Sequence, residues 1–110
     1  MDRPLLSCRC LEGDPPCTQF ERTFLGTDDL YAEVSVDHCT TCGRDWLHYL
    51  LEFEFHTGSG RWYRGLIGPE IAFSHRNAAS VFGQLPEYWA GGSRFEGRVH
   101  LRSGPLDVSP

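Results

Sequence analysis

The chain contains no lysine: all ten of its cationic residues are arginines, scattered from Arg3 to Arg102 without a run. Fifteen acidic residues outnumber them and give a formal net charge of −5 at pH 7. General affinity for nucleic acid comes from clustered cations that neutralise phosphates, so this balance argues against a nucleic-acid partner. Arginine without lysine favours planar, bidentate or stacked contacts over point-charge ones. No apolar run approaches the roughly 20 residues that span a bilayer, and the opening Met-Asp-Arg-Pro has no signal-peptide core. The expected location is the cytoplasm. Gly-x-Ser-x-Gly and His-Glu-x-x-His strings are absent as well, so no catalytic activity is evident. Internal repeats, low-complexity blocks and linkers are also missing, and 110 residues read as a single domain, 1–110.

What is present is cysteine, five of them, at positions 8, 10, 17, 39 and 42. An odd number at short spacings in a reducing compartment suits metal binding better than disulfides. Residues 1–19 hold three of the five together with three prolines, and read as an irregular segment fixed by what its thiols bind.

Periodicity predicts strands next. From Leu30 to Val36, Leu30, Ala32, Val34 and Val36 alternate with Tyr31, Glu33 and Ser35. From Trp46 to His56, Leu47, Tyr49, Leu51, Phe53 and Phe55 take one face, and His48, Glu52, Glu54 and His56 the other. Gly58-Ser59-Gly60 then turns the chain into a hairpin with Arg61–Ile67. A three-residue loop places Phe55 beside Tyr63 and Glu54 beside Arg64, whereas a four-residue loop places Phe55 beside Trp62 and Glu54 beside Tyr63. The first is preferred because it opposes unlike charges. Farther on, Ser74 is a candidate helix cap, and Ala78, Val81, Phe82, Leu85, Tyr88 and Trp89 recur at helical spacing, with a kink or break required at Pro86. Gly91-Gly92 reads as the end of that helix rather than as a phosphate loop. Arg98–Arg102 is a candidate last strand, and 103–110 a frayed tail. The expected fold class is α+β: a small antiparallel β-sheet with one helix from the C-terminal half packed on it.

Between the first two predicted strands lies Cys39-Thr40-Thr41-Cys42-Gly43, where a tight turn can aim two thiolates at one ion. Two thiolates fill half of a tetrahedral site, and Cys8 with Cys10 are the first candidates for the rest. Cys10 with Cys17 is an alternative pair; His38 is a lesser candidate, because adjacency to Cys39 makes joint binding of one ion awkward. The turn and the strand after it resemble the zinc-ribbon and treble-clef group of small domains, a resemblance carried by Cys39, Cys42 and Gly43. It implies a structural Zn²⁺ held in a zinc knuckle.

Ser59-Gly60-Arg61-Trp62-Tyr63-Arg64-Gly65 concentrates residue types that dominate binding surfaces, so Arg61, Trp62, Tyr63 and Arg64 form the candidate interaction site. The competing reading places one ring in the core and pairs the arginines with acidic residues across the sheet. The leading functional reading is a small zinc-stabilised protein-interaction or adaptor module with an unidentified protein partner. A small enzyme using the histidine and carboxylate face, or a nucleic-acid-binding zinc ribbon, are the alternatives.

Overall fold

The computed structural model describes residues 8–13, 15, 17–51, 60–92 and 98–106. Among these, two 3-10 turns, Arg9–Leu11 and Cys17–Gln19, lead into β1 (Phe20–Thr27), β2 (Glu33–Cys39), β3 (Asp45–Leu51) and β4 (Arg61–Ile67). A one-turn helix, α1 (Ala78–Phe82), then precedes β5 (Tyr88–Gly92) and β6 (His100–Arg102). The strands form one sheet in the order β1-β2-β3-β4-β5-β6, each antiparallel to its neighbour. The architecture is therefore a mostly-β meander rather than a balanced α+β fold. No helix among the described residues is long and apolar enough to cross a membrane.

Register sorts the side chains onto two faces. On one, Val34, Leu47, Tyr49, Leu51, Tyr63, Ile67, Tyr88 and Ala90 meet Ala78, Val81 and Phe82 of α1 and the following Leu85, all buried. Phe82 packs edge-on against Tyr88 with centroids 5.2 Å apart, and against Tyr49 at 6.2 Å. Gly65 permits this approach, since a Cβ there would come within 2.4 Å of Leu85 Cδ1. The Tyr88 hydroxyl donates to the carbonyl of Gly104 at 3.0 Å, and Leu106 rests on the core; residues 107–110 of the expected tail lie outside the described residues.

The predicted long helix is corrected to a single turn. Asn77, not Ser74, occupies the N-cap position, and the Asn77 side-chain oxygen accepts from the Ser74 backbone N–H at 2.7 Å in the turn that precedes α1. Gly83 and Pro86 end the helical path, and Tyr88 and Trp89 continue as a strand. Tyr88 enters the core while its neighbour Trp89 turns to the opposite face, an arrangement that a helix stripe would not produce. Gly91 and Gly92 accordingly sit within β5 rather than ending a helix. The Trp62 indole lies against Gly91, where a Cβ would approach it to 2.5 Å.

The first predicted strand begins later than its alternation suggests. Asp28 builds a turn before it, its carboxylate accepting the backbone N–H of Leu30 at 2.9 Å and of Ala32 at 3.0 Å, and the Tyr49 hydroxyl as well. Leu30 and the 84%-exposed Tyr31 consequently lie in the turn, Tyr31 with a φ of 63°. The hairpin register also differs from both predicted ones: Tyr49 opposes Tyr63 and Leu51 opposes Arg61, which excludes Phe55 or Glu54 as partners of Trp62, Tyr63 or Arg64. The shift from the preferred register is even, so inward and outward sides are preserved and the Tyr49, Tyr63 and Phe82 cluster sets the alignment. The remainder of that strand, including Phe53, Phe55, Glu52, Glu54 and His56, lies outside the described residues.

Candidate metal centre

On the second face, the end of β2 and the start of β3 present Cys39, Cys42 and Trp46, and residues 8–13 lie over them. The turn is fixed by its own backbone: the Cys39 N–H donates to the Arg44 carbonyl at 2.8 Å and the Gly43 N–H to the Cys39 carbonyl at 2.9 Å, with Gly43 at a φ of 84°. A residue with a side chain would be strained at that φ, which accounts for the glycine after the second thiol. Thr40 ties the turn to the preceding segment through its N–H on the Gln19 carbonyl at 2.8 Å.

The four sulfurs of Cys8, Cys10, Cys39 and Cys42 lie within 4.8 Å of one another. Cys8 and Cys39 are 3.6 Å apart and Cys10 and Cys42 3.5 Å, far beyond the roughly 2.05 Å of a disulfide. Tetrahedral coordination with metal–sulfur bonds of about 2.3 Å would separate the sulfurs by about 3.8 Å, so little adjustment is needed. Cys8, Cys10 and Cys39 are buried and Cys42 is partly so. These cysteines are positioned to bind a metal ion.

Electrostatics supports the same assignment. Burial pushes the Cys39 thiol up, but Gln19 and the backbone N–H groups of Cys42 and Thr41 outweigh it and bring it down to about 6. Burial likewise opposes ionisation of Cys42, yet the Arg44 backbone N–H and guanidinium lower it, the latter donating to the sulfur at 3.1 Å. Cys10 goes the other way, pushed up to about 12 by burial and by neighbouring Cys42, with Trp46 favouring its thiolate. Four thiolates at this separation cannot ionise together without a cation between them, and a divalent ion removes the conflict. The buried Trp46 indole nitrogen makes no ordinary hydrogen bond, so a metal-held thiolate at Cys10 would give that N–H its acceptor.

Of the other metal candidates, His38 points away from the tetrad, is exposed, and bonds to Asp45 at 2.7 Å. The Cys17 side chain lies outside the described residues. Sequence reasoning did not find the supporting shell of Gln19, Arg44 and Trp46, nor the role of Arg64. That guanidinium, 4% exposed, donates to the carbonyls of Cys10 at 2.7 Å and Glu12 at 2.8 Å and lies 3.9 Å from the Trp46 ring centroid. Trp89 adds a bond from its indole N–H to the Leu11 carbonyl at 3.3 Å. The metal-side segment is thus fastened to the sheet at three consecutive carbonyls.

The candidate interaction residues divide by strand parity. Arg61 and Tyr63, each 1% exposed, belong to the core side; Trp62 and Arg64 belong to the metal side. Beside the metal centre, Trp62 and Arg64 join Gly13, Pro15, Phe20, Arg22, Asp37 and His48 around an open pocket of about 200 Å³. Asp37 accepts both of its bonds from Arg22, at 2.7 and 2.8 Å. Burial and the charge of Arg22, followed by Arg64, hold His48 down to about 4 against the pull of Asp37, so its ring is neutral near pH 7. Comparison with protein-family models, curated proteins and solved structures finds no match for this chain.

Proposed function

We propose that the chain is a small binding module in which a structural Zn²⁺, held by Cys8, Cys10, Cys39 and Cys42 in a ribbon-like knuckle, pins the amino-terminal segment to the sheet. The observation that carries this reading is the convergence of four sulfurs within 4.8 Å of one another. Four thiolates complete a tetrahedral shell and leave no position for a reactive water, so the ion organises structure rather than performing hydrolysis. Thiolates kept free for metal suit a reducing compartment. Binding falls to the face that carries Trp62 and Arg64, next to the metal-held segment. A catalytic role for His48 draws less support, because the carboxylate nearest it in the pocket, Asp37, is committed to Arg22.

Metal analysis of protein purified without chelator, paired with thiol counting under denaturing conditions, tests the proposal. One zinc per chain with every thiol reduced is expected, and Cys42→Ser should lose the metal. Metal-free folded protein, or disulfides among the four cysteines, would refute it.

A further inference from the structure

Resting on the zinc reading above, we propose that the metal centre is a peroxide-responsive switch: Cys42 is the reacting thiol, Cys10 resolves it, and one disulfide between the two segments takes the place of the metal. Cys10 and Cys39 are closed to solvent and Cys8 is nearly so, whereas Cys42 is partly exposed. A dissolved oxidant therefore meets Cys42 first. That corner is also the cationic one. The Arg44 guanidinium donates to the Cys42 sulfur at 3.1 Å, while Cys8 and Cys39 face the uncharged amide of Gln19 at 3.5 and 3.3 Å. Oxidation-sensitive cysteines are accessible thiolates held beside a cation and next to a resolving thiol, and Cys42 meets each condition. An open groove bordered by Gly43, Arg44 and Asp45 gives a small oxidant its approach.

The oxidant is hydrogen peroxide. The Cys42 thiolate attacks one of its oxygens, so that an S–O bond forms, the O–O bond breaks, hydroxide departs and Cys42 becomes a sulfenic acid. Cys10, with its sulfur 3.5 Å away, then attacks the Cys42 sulfur; the S–S bond forms, the S–O bond breaks and a second hydroxide departs. Solvent protons convert both hydroxides to water, and the two thiolates supply the two electrons that reduce the peroxide. Cys39 is the less suited resolver, because its sulfur is engaged with Cys8 at 3.6 Å and with Gln19. Only Cys8 and Cys39 then remain as thiolates, half of a tetrahedral shell and too few to retain the ion. The segment nevertheless stays on the sheet, because the new disulfide joins it to the turn and Arg64 still holds the carbonyls of Cys10 and Glu12. Oxidation thus empties the centre without freeing the segment, whereas chelation takes away the link between the sulfurs.

The test exposes the full, reduced, zinc-loaded chain to equimolar hydrogen peroxide, with metal content measured on the same sample beforehand. Released zinc is followed with a chromogenic indicator, the remaining thiols are alkylated, and the linkage is mapped by fragmentation mass spectrometry. One zinc released per disulfide formed is expected, with Cys10 joined to Cys42 and with Cys8 and Cys39 alkylated. Dithiothreitol with added zinc should restore the starting state. Arg44→Gln separates chemistry from structure. A guanidinium that merely steadied the site would, once removed, let zinc escape faster under peroxide; the proposal expects release at least threefold slower, with Arg44→Lys keeping most of the parent rate. If Arg44→Gln does not fold, hydrogen exchange in the parent gives the second reading: residues 8–13 should exchange more slowly in the oxidised chain than in the chelated one. Zinc that resists peroxide, a linkage of Cys39 to Cys42, faster release from Arg44→Gln, or equal exchange in the oxidised and chelated chains overturns the proposal. Where the starting sample holds one zinc, such a result removes the switch alone; folded, reduced protein without zinc at the outset defeats the metal reading and the switch with it.

Discussion

Under α1, the sheet is closed by Tyr49, Tyr63, Phe82 and Tyr88 burying one another, whereas on the opposite face Trp46 and Arg64 are covered by a segment with little apolar surface of its own. The first closure draws on area removed from water and on ring packing, which need no ligand. The second is held by carbonyls bonded to Arg64 and Trp89 and by four clustered sulfurs positioned to bind a metal ion. A short chain that cannot cover both faces with its own hydrophobic residues can use a metal for the second.

Separating the two closures experimentally should give unequal effects, and removing the metal should give the largest. Structural zinc in small domains contributes on the order of 10 kcal/mol of apparent binding energy, comparable to a domain's whole stability. Chelation, or Cys42→Ser, should therefore lower the midpoint of thermal unfolding by about 20 °C or more. Hydrogen exchange should show residues 8–13 opening first, with the Tyr49 and Phe82 side remaining protected the longest. Uniform loss of protection would show that the faces are not separable.

Phe82→Ala attacks the other face. Truncating a buried phenylalanine costs about 3–5 kcal/mol, so the melting midpoint should fall substantially. Metal stoichiometry should stay at one per folded chain, because among the described residues Phe82 belongs to the α1-side core cluster and the thiols to another. Arg64→Gln tests the junction, and its cost should be smaller, about 2–3 kcal/mol, from the charged bonds lost to the Cys10 and Glu12 carbonyls. Its distinguishing signature is weaker metal retention in chelator competition, which Phe82→Ala should not show. Equal retention by the two variants would mean that the clamp and the metal act independently.

The cysteine cluster was more legible in the sequence than the fold was. Cys39-Thr40-Thr41-Cys42-Gly43 carries its geometry locally, since the glycine and the spacing dictate the turn, whereas the sequence left two candidate second pairs, of which Cys8 with Cys10 joins the cluster. The α1 region was misleading because Phe82, Leu85, Tyr88 and Trp89 satisfy a 3.6-residue period by coincidence, while Tyr88 and Trp89 serve opposite faces of one strand. Strand β1 was silent for another reason. It lies at the sheet edge with most of Phe20–Thr27 exposed or half exposed, so no alternation marks it. Arg64 was visible as a residue suited to binding, but only register shows that its guanidinium is used internally, on the segment carrying Cys10.

The smallest effect concerns His48, which sits on the metal-side face but depends on burial rather than on metal. Its folded-state value is about 4 against an ordinary 6.5, because burial and then Arg22 and Arg64 disfavour the charged ring more than Asp37 favours it. Between these values the unfolded chain binds a proton that the folded chain does not. Stability from this group is therefore complete above pH 6.5, declines as the pH falls through the window, and levels off below 4. At about 1.4 kcal/mol per pH unit, the whole change amounts to at most roughly 3 kcal/mol, less where solvent reaches the half-buried ring. Acid also strips metal from thiolates, but that contribution is common to the parent and to His48→Gln and cancels in their difference. The parent should thus lose more denaturation free energy than His48→Gln between pH 6.5 and 4, in urea unfolding at matched metal content. Parallel pH profiles would mean that His48 is as accessible to protons in the folded sheet as in the unfolded chain, and that this face is wetter than its burial implies.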